Sequence, residues 1–312
     1  MQDVLDFERP VVDLEEKLAL LERPEIKDKA QVAQLRGAIE VALSDIFSKL
    51  EPWQKLALAR HPKRPHGLDY IHACFDDFDL LAGDRMSGEC EAIVGGIATL
   101  DQQSVMVIAQ QKGRNLEENL RVNFAMPKPC GYRKVKRLLT LAERYGMPVV
   151  TLLDSPGADA HVAAELANQS EAIASNMLLM SELKTPILSV VIGEAMSGGA
   201  MAMGVCDHIS MLEYSVFSVI SPEGCAAILW RDAVYAKQAA NAMGITAEKL
   251  LELKLIDAII SEPLGGAHRA PKLCFTRVRH AISANLSKLN TLELDDLLSR
   301  RYHKWMLPSL EG

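Results

Sequence analysis

Hydrophobic spacing along the chain changes character near residue 60. Before that point the apolar positions recur every three or four residues. Residues 12–22 (VDLEEKLALLE) and 30–50 follow this rule, with Val32, Leu35, Ile39, Leu43, Ile46 and Leu50 on one helical face. Strict alternation is absent, so two helices are expected. Pro24 and the charged stretch 25–29 separate them. The pair reads as a helical arm, suited either to docking a partner or to packing on its own domain.

A loop rich in Pro, His and Arg occupies residues 60–66. Beyond it, short β-branched runs alternate with helical stretches. Residues 92–99 and 103–110 read as a strand hairpin joined by 100–102. Residues 147–153 (MPVVTLL) and 186–192 (PILSVVI) read as short buried strands, and 209–220 as one or two strands with a turn near Glu213. Helices are expected over 131–145, 162–183, 197–205, 231–243, 246–253 and 270–288. This alternation predicts an α/β fold with a partly parallel sheet.

Composition narrows function more than fold. The 312 residues suffice for one large α/β domain with an extension, or for two small domains. A hydrophobic share of 49% permits a sizeable core. The net charge of −7 is a poor match for a nucleic-acid binder, yet leaves room for a local basic site. The first ten residues, MQDVLDFERP, lack the basic and apolar regions of a targeting peptide. No apolar run approaches the roughly 18 residues that span a bilayer, so a cytoplasmic protein is expected. Cys74, Cys90, Cys130, Cys206, Cys225 and Cys274 are scattered, with no CxxC pair and no zinc signal. Buried free thiols are expected.

Candidate chemistry concentrates where two buried strands end. The strand at 186–192 runs into Gly193-Glu194, then Ser197-Gly198-Gly199 and a helix of Ala and Met. Adjacent glycines at a helix start present N–H groups with no intrahelical partner and no Cβ in the way. The helix dipole favours negative charge there, which suits an oxyanion. The same glycines would equally serve tight strand–helix packing. The strand at 147–153 ends in Asp154-Ser155-Pro156-Gly157-Ala158, and both turns face one pocket if the strands share a sheet. Asp154 is either catalytic or fixes its turn by accepting from backbone N–H groups.

A basic cluster of Lys112, Arg114, Arg121, Arg133, Lys134, Lys136 and Arg137 either grips phosphates of a coenzyme A type substrate or forms a solvated helix face. Glu223 either acts at a site or sits in the first turn of a helix. The chain has no GxSxG elbow, no HExxH and no GxxxxGK[ST] loop. A reaction that needs neither a protein nucleophile nor ATP on this chain suits that set.

Motifs spread along nearly the whole chain add to this reading. They include Leu58-Ala59-Arg60-His61-Pro62, Ala92-Ile93-Val94-Gly95-Gly96-Ile97, Gln111-Lys112-Gly113-Arg114, Gln169-Ser170-Glu171-Ala172, Ser221-Pro222-Glu223-Gly224-Cys225 and Arg300-Arg301-Tyr302. Together they resemble the alpha subunit of bacterial and plastid acetyl-CoA carboxylase carboxyltransferase. The resemblance implies a crotonase/ClpP-like spiral of ββα units, with a helical arm at 1–30, the carboxyltransferase domain at 31–286 and a helical tail at 287–312. It implies an enzyme active only with a zinc-ribbon beta subunit, in an α2β2 assembly, and no metal on this chain. Biotin would arrive on a separate carboxyl carrier protein. Gly198 and Gly199 would hold the ureido oxygen of carboxybiotin as an oxyanion hole. Ser197, Met196, Gly157, Ala158, Lys112, Arg114 and Arg133 would bind substrate. The carboxyl group would pass to the coenzyme A thioester acetyl-CoA, giving malonyl-CoA for fatty acid biosynthesis.

The departures from that family cluster at the cleft. Its D-T-P-G-A-Y-P-G reads here with Asp159 and His161, its E-E-R-G run ends at Asn168, and its G-E-G-G-S-G-G-A carries Ala195 and Met196. They leave an alternative open: a specialised paralogue acting on a malonyl thioester. It would carboxylate, or decarboxylate without biotin, with an acyl carrier protein as a further candidate partner. A non-catalytic partner subunit is the third reading.

Overall fold

The structure is a computed structural model that describes residues 4–22 and 29–306; Pro24 and the charged residues 25–28 lie outside the described residues. Four helices open the chain: α1 (Arg9–Leu21), α2 (Lys29–Phe47), α3 (Pro52–Ala59) and α4 (Gly67–Cys74). Strands β1 (Asp76–Leu80), β2 (Ile93–Leu100) and β3 (Gln103–Gln110) then run antiparallel. The chain continues through α5 (Leu116–Arg121) and α6 (Pro129–Arg144) into β4 (Val149–Ser155), and through α7 (Val162–Leu166) and α8 (Gln169–Glu182) into β5 (Ile187–Met196). Helix α9 (Ser197–Gly204) leads to β6 (His208–Leu212) and β7 (Val216–Ser218). Then come α10 (Pro222–Trp230), α11 (Ala236–Ala242), α12 (Ala247–Glu252), β8 (Ala258–Ile260), α13 (Pro271–Leu289) and α14 (Leu294–Met306). The sheet order is β1-β2-β3-β4-β5-β6-β8, with β7 on the far end of β5. From β3 to β8 the pairs are parallel.

Every residue of β4 and β5 is buried, because helices cover both faces of the sheet. One core holds Ile108, Leu153, Val191 and Ala195 against α6, α8 and α9. The other holds Val107, Leu152 and Val190 against α4 and α13. The expected hairpin forms, with Leu100 opposite Gln103. Asp101 and Gln102 take φ of 49° and 67°, the left-handed pair that a two-residue turn with the twist of the strands needs.

Several expected boundaries move. The helix expected over 162–183 breaks at Asn168, which adopts φ 63°. The strand expected at 186–192 continues to Met196, because Glu194, Ala195 and Met196 pair in register with β7. Helices α3 and α4 flank the basic loop and were not anticipated. Neither was β1, a polar edge strand (DDFDL), nor the three-residue β8. The segment 209–220 resolves into β6 and β7 around a turn at Glu213.

The arm packs on its own body. Leu5, Phe7, Leu43 and Ile46 join Phe47, Leu58 and Tyr214. Glu8, buried, bonds His268 Nε2 at 3.1 Å and Arg269 Nε at 3.2 Å, and Arg269 reaches Glu15 at 2.6 Å. Among the described residues no helix is long and apolar enough to cross a membrane.

Arg301 pins α14. Its guanidinium is fully buried, grips both Asp207 oxygens at 2.8 and 2.7 Å, and donates to the carbonyls of Met180, Leu183 and Thr185. Arg301→Ala should therefore destabilise the chain by about 3–5 kcal/mol, the usual cost of stranding one half of a buried pair. A fall in the urea midpoint would register it; an unchanged midpoint would show that α14 is not anchored this way. The arm has an acid limit of its own. Burial pushes the Glu8 carboxyl up, but the hydrogen bonds and charges of His268 and Arg269 outweigh it and hold it below its ordinary 4.5. A depressed folded value stabilises above the unfolded value and fades as the pH falls through the folded one. Hydrogen exchange of the α1 amides should thus be slow at neutral pH and quicken below about 4.5. In Glu8→Gln it should be fast already at pH 7.

Candidate functional site

The parallel pair β4–β5 brings the two sequence-defined turns together. Gly199 packs on the turn after β4: a Cβ there would lie 2.8 Å from the Gly157 carbonyl carbon and 2.8 Å from Ser155 Oγ. A Cβ on Gly198 would lie 3.0 Å from Ile173 and 3.6 Å from the Ala158 Cβ. Close packing on backbone therefore demands glycine at 199, and a side chain at 198 would have to displace Ile173. The packing also leaves the first-turn N–H groups of α9 free of any side-chain cap. Among the described residues, the Ala158 N–H on the facing turn has no backbone acceptor either. Ser197 enters α9 at φ 52° and Gly157 takes φ 147°. Such conformations mark a backbone shaped by its surroundings rather than by local preference.

Buried charges brace these turns from behind. Lys112 Nζ lies 2.6 Å from Asp154 Oδ1 and 2.9 Å from Glu194 Oε1. Arg60 continues the chain to Glu194 Oε2 at 2.7 Å and to Glu223 at 2.6 Å. Burial opposes the charge on Lys112, but Asp154 and Glu194 outweigh it and raise its pKa; burial likewise opposes the Glu194 carboxylate, and Lys112 and Arg60 outweigh it and lower its pKa. Lys112, Glu194, Arg60 and Glu223 are each shifted in the direction that keeps them charged at neutral pH. The Glu194 N–H donates to Asp154 Oδ1 at 3.1 Å, and a Cβ on Gly193 would collide with that carboxylate at 2.3 Å.

Gln110, buried at the end of β3, ties the turns to each other. Its Nε2 donates to the Gly199 carbonyl at 2.6 Å and its Oε1 accepts from the Asp154 N–H at 2.8 Å. Sequence reasoning missed Gln110. The signal was the first of two amides that close the otherwise apolar run VMVIA.

The structure gathers Gly157, Ala158, Ser197, Gly198 and Gly199 in one place. Lys112 stands behind them, lining a cavity of about 330 Å3 with Arg60, His66, Arg114, Phe124 and Glu194. Arg114 is paired with Asp69 at 2.5 Å. Arg133 lies elsewhere: it holds Asp84 at 3.1 Å, Ser87 Oγ at 2.9 Å and the Ala167 carbonyl at 3.2 Å. Met196 is fully buried among Leu56, Ala59, Val216, Ala240 and Ile245. Asp154 bonds the backbone of β5 rather than its own turn, and Glu223 is both a first-turn residue and a partner of Arg60.

One side-chain group among the described residues has metal-like spacing: Glu8, His61 and His268. The Arg269 guanidinium on the same Glu8 oxygen opposes a cation there, and the two imidazoles stack at 4.0 Å.

A family model described as acetyl co-enzyme A carboxylase carboxyltransferase-like matches residues 4–308. The chain is 50% identical over 306 residues to the acetyl-coenzyme A carboxylase carboxyl transferase subunit alpha of Chromohalobacter salexigens, covering 97% of this chain and 96% of that protein. The corresponding subunit of Edwardsiella ictaluri is 52% identical over 309 residues, 97% of each. Two solved structures share the fold at low identity. A Pseudomonas malonate decarboxylase hetero-tetramer in complex with coenzyme A superposes with TM-score 0.61, at 16% identity over 76% of this chain and 92% of that one. Transcarboxylase 12S with methylmalonyl-coenzyme A and methylmalonic acid bound gives 0.60, at 19% identity over 72% of this chain and 41% of that one. The fold is thus the crotonase-like carboxyltransferase fold. By sequence over almost its full length, the chain belongs to the family of acetyl-CoA carboxylase carboxyltransferase alpha subunits.

Proposed function

We propose that this chain is the alpha subunit of acetyl-CoA carboxylase carboxyltransferase. It acts in the cytoplasm with a zinc-ribbon beta subunit, in an α2β2 assembly, on carboxybiotin delivered by a carrier protein. Carboxybiotin supplies the carboxyl group that acetyl-CoA takes up to become malonyl-CoA. The observation that carries this reading is the pair of abutting turns, with side-chain-free N–H groups at Gly198 and Gly199 beside that of Ala158. Such donors suit a ureido oxygen that gains negative charge during transfer, because they are fixed before the charge develops. No protein nucleophile is needed. The exposed apolar residues Val219, Ile228, Leu229, Trp230, Val234 and Tyr235, around α10, support a partner subunit, since such a patch on a lone chain invites association.

The test is carboxyl loss from malonyl-CoA by the chain co-purified with its beta subunit, with and without biotinylated carrier. Loss that requires biotin is expected. Loss without biotin would overturn this reading in favour of a biotin-independent decarboxylase, and no loss from an intact assembly would favour a non-catalytic subunit.

Two substitutions probe the donors. Gly199→Ala forces a Cβ into the Gly157 backbone and should lower kcat by roughly 10²–10³ without dissolving the assembly. Gln110→Leu strands the Asp154 N–H, at about 1–3 kcal/mol, and removes the tie to the Gly199 carbonyl. It should lower kcat with little change in KM, and Gln110→Glu, which keeps the shape and one acceptor, should recover part of the loss. Unchanged kcat in Gln110→Leu would reduce Gln110 to packing.

A further inference from the structure

Two of the six cysteines meet where the loop before β2 crosses the first turn of α6. The Lys128 N–H donates to Cys90 Sγ at 3.5 Å, and the Cys130 thiol reaches the Glu89 carbonyl at 3.7 Å. A Cβ placed on Gly131 would stand 3.0 Å from Cys90 Sγ. Cys90 is buried against Ala92 and Val122, with the half-buried Cys130 packed on the same cluster. Both sulfurs are free thiols, and neither belongs to the site described above.

The surroundings give the two thiols different characters. The neighbouring Cys130 thiol is the largest influence on Cys90; with help from the Lys128 and Ala92 N–H groups and the Lys134 charge, it overcomes burial and lowers the Cys90 thiol below its ordinary value. The same contact, with burial, pushes Cys130 up. Lys134, itself buried, donates to the Cys90 carbonyl at 3.1 Å, which keeps its positive charge at this junction. Cys74, Cys206 and Cys274 have the opposite setting: burial pushes them up to about 12, 11 and 11. An acidified thiol packed in the same cluster as a second thiol is the arrangement that turns oxidation into a reversible reaction.

We propose that Cys90 and Cys130 form a reversible intramolecular disulfide, so that the junction of the 81–92 loop with α6 is a redox modification site for peroxide-class oxidants. The Cys90 thiolate attacks one peroxide oxygen; the O–O bond breaks and the departing hydroxide takes up a proton as water. This leaves Cys90 as a sulfenic acid. Cys130 then gives up its proton and its sulfur displaces the hydroxyl from Cys90, forming the S–S bond and a second water. The two sulfurs supply the two electrons that reduce one peroxide to two waters, and a dithiol reductant reverses the bond. With Cys130 packed on the same cluster, resolution competes well against further oxidation of Cys90. The bond forms at the root of a strained segment. Val122, packed on Cys90, leads into Asn123, Phe124 and Ala125, at φ of 50°, 53° and 59°, and the Ala125 carbonyl accepts from Ser155 Oγ at 2.6 Å.

The test uses the full-length reduced chain, exposed to hydrogen peroxide, denatured, alkylated and mapped by mass spectrometry without reductant. We expect a peptide pair linked through Cys90 and Cys130, loss of two of the six thiols, and their return with dithiothreitol. Cys130→Ser should accumulate a Cys90 sulfenic acid that dimedone traps. Cys90→Ser should give no linked pair and leave the Cys130 thiol intact. Survival of all six thiols at peroxide levels that oxidise free thiols, or linkage of Cys90 to another cysteine, overturns the proposal. So does direct passage of wild-type Cys90 to the sulfinic acid. Thermal melts matching wild type would confirm that the serine variants fold; should Cys90→Ser fail to fold, the dimedone result with Cys130→Ser decides.

Discussion

The Asp154 carboxylate, buried against Gly193, sets the geometry on which the candidate site depends. Strands β4 and β5 run in simple parallel register from Val149 opposite Ile187 to Leu153 opposite Val191, and then the register jumps so that Ser155 meets Ala195. Two residues of β4 span four of β5 at that point. The slack is taken up beside Asp154, whose carboxylate fills the space a side chain at 193 would need and accepts from the Glu194 N–H. Without the jump, the end of β5 would not deliver α9 onto the Gly157 turn. Gly193 is thus a structural requirement of the site, although it contributes no donor to it.

A buried carboxylate must be compensated, and that requirement explains the charges nearby. Lys112 answers Asp154, Glu194 answers Lys112, Arg60 answers Glu194, and Glu223 answers Arg60 at the half-exposed end. Removing Lys112 would leave Asp154 as an unpaired ion in a low-dielectric interior, which costs far more than the pair contributes. The network therefore couples β3, β4 and β5 to α3 and α10, and fixes their relative positions by charge as well as by packing. Arg64 with Glu262 repeats the device at the next strand end, where the guanidinium also holds the Ile192 carbonyl at 2.8 Å.

Periodicity showed the buried strands and the long helices because burial on two faces writes a continuous apolar run into the sequence. It failed where polarity and brevity hide an element. β1 is an exposed edge strand of aspartates, and β8 has three residues. The two glycine turns were legible from residue type alone, and their convergence followed from parallel strands sharing a sheet. The basic cluster was legible as charge but not as arrangement. Its members scatter: Lys112 joins the Asp154 network, Arg114 pairs with Asp69, Arg121 with Glu91, Arg133 with Asp84 and Lys134 with Glu89, while Arg137 holds the carbonyls of Leu81, Ala82 and Gly83. Gln110 was invisible for a related reason: its role comes from two turns distant in sequence.

The departures from the family pattern take on a different weight once their surroundings are known. Met196 fills a core formed by α3, β7 and α11, so its long side chain is spent on packing. Asn168 takes the left-handed conformation that breaks one expected helix into α7 and α8, a role its short polar side chain tolerates better than most. Asp159 is buried, and its carboxylate accepts from the His161 backbone N–H at 3.1 Å and contacts His161 Nδ1 at 2.5 Å. Its own N–H is fixed by the Pro127 carbonyl, which also receives the Gln169 amide. These residues rebuild the turn after Gly157 with hydrogen bonds. A turn so constrained can keep Gly157 seated on Gly199 through a changed sequence, which is why substitutions can gather around the cleft while the abutting turns stay in place.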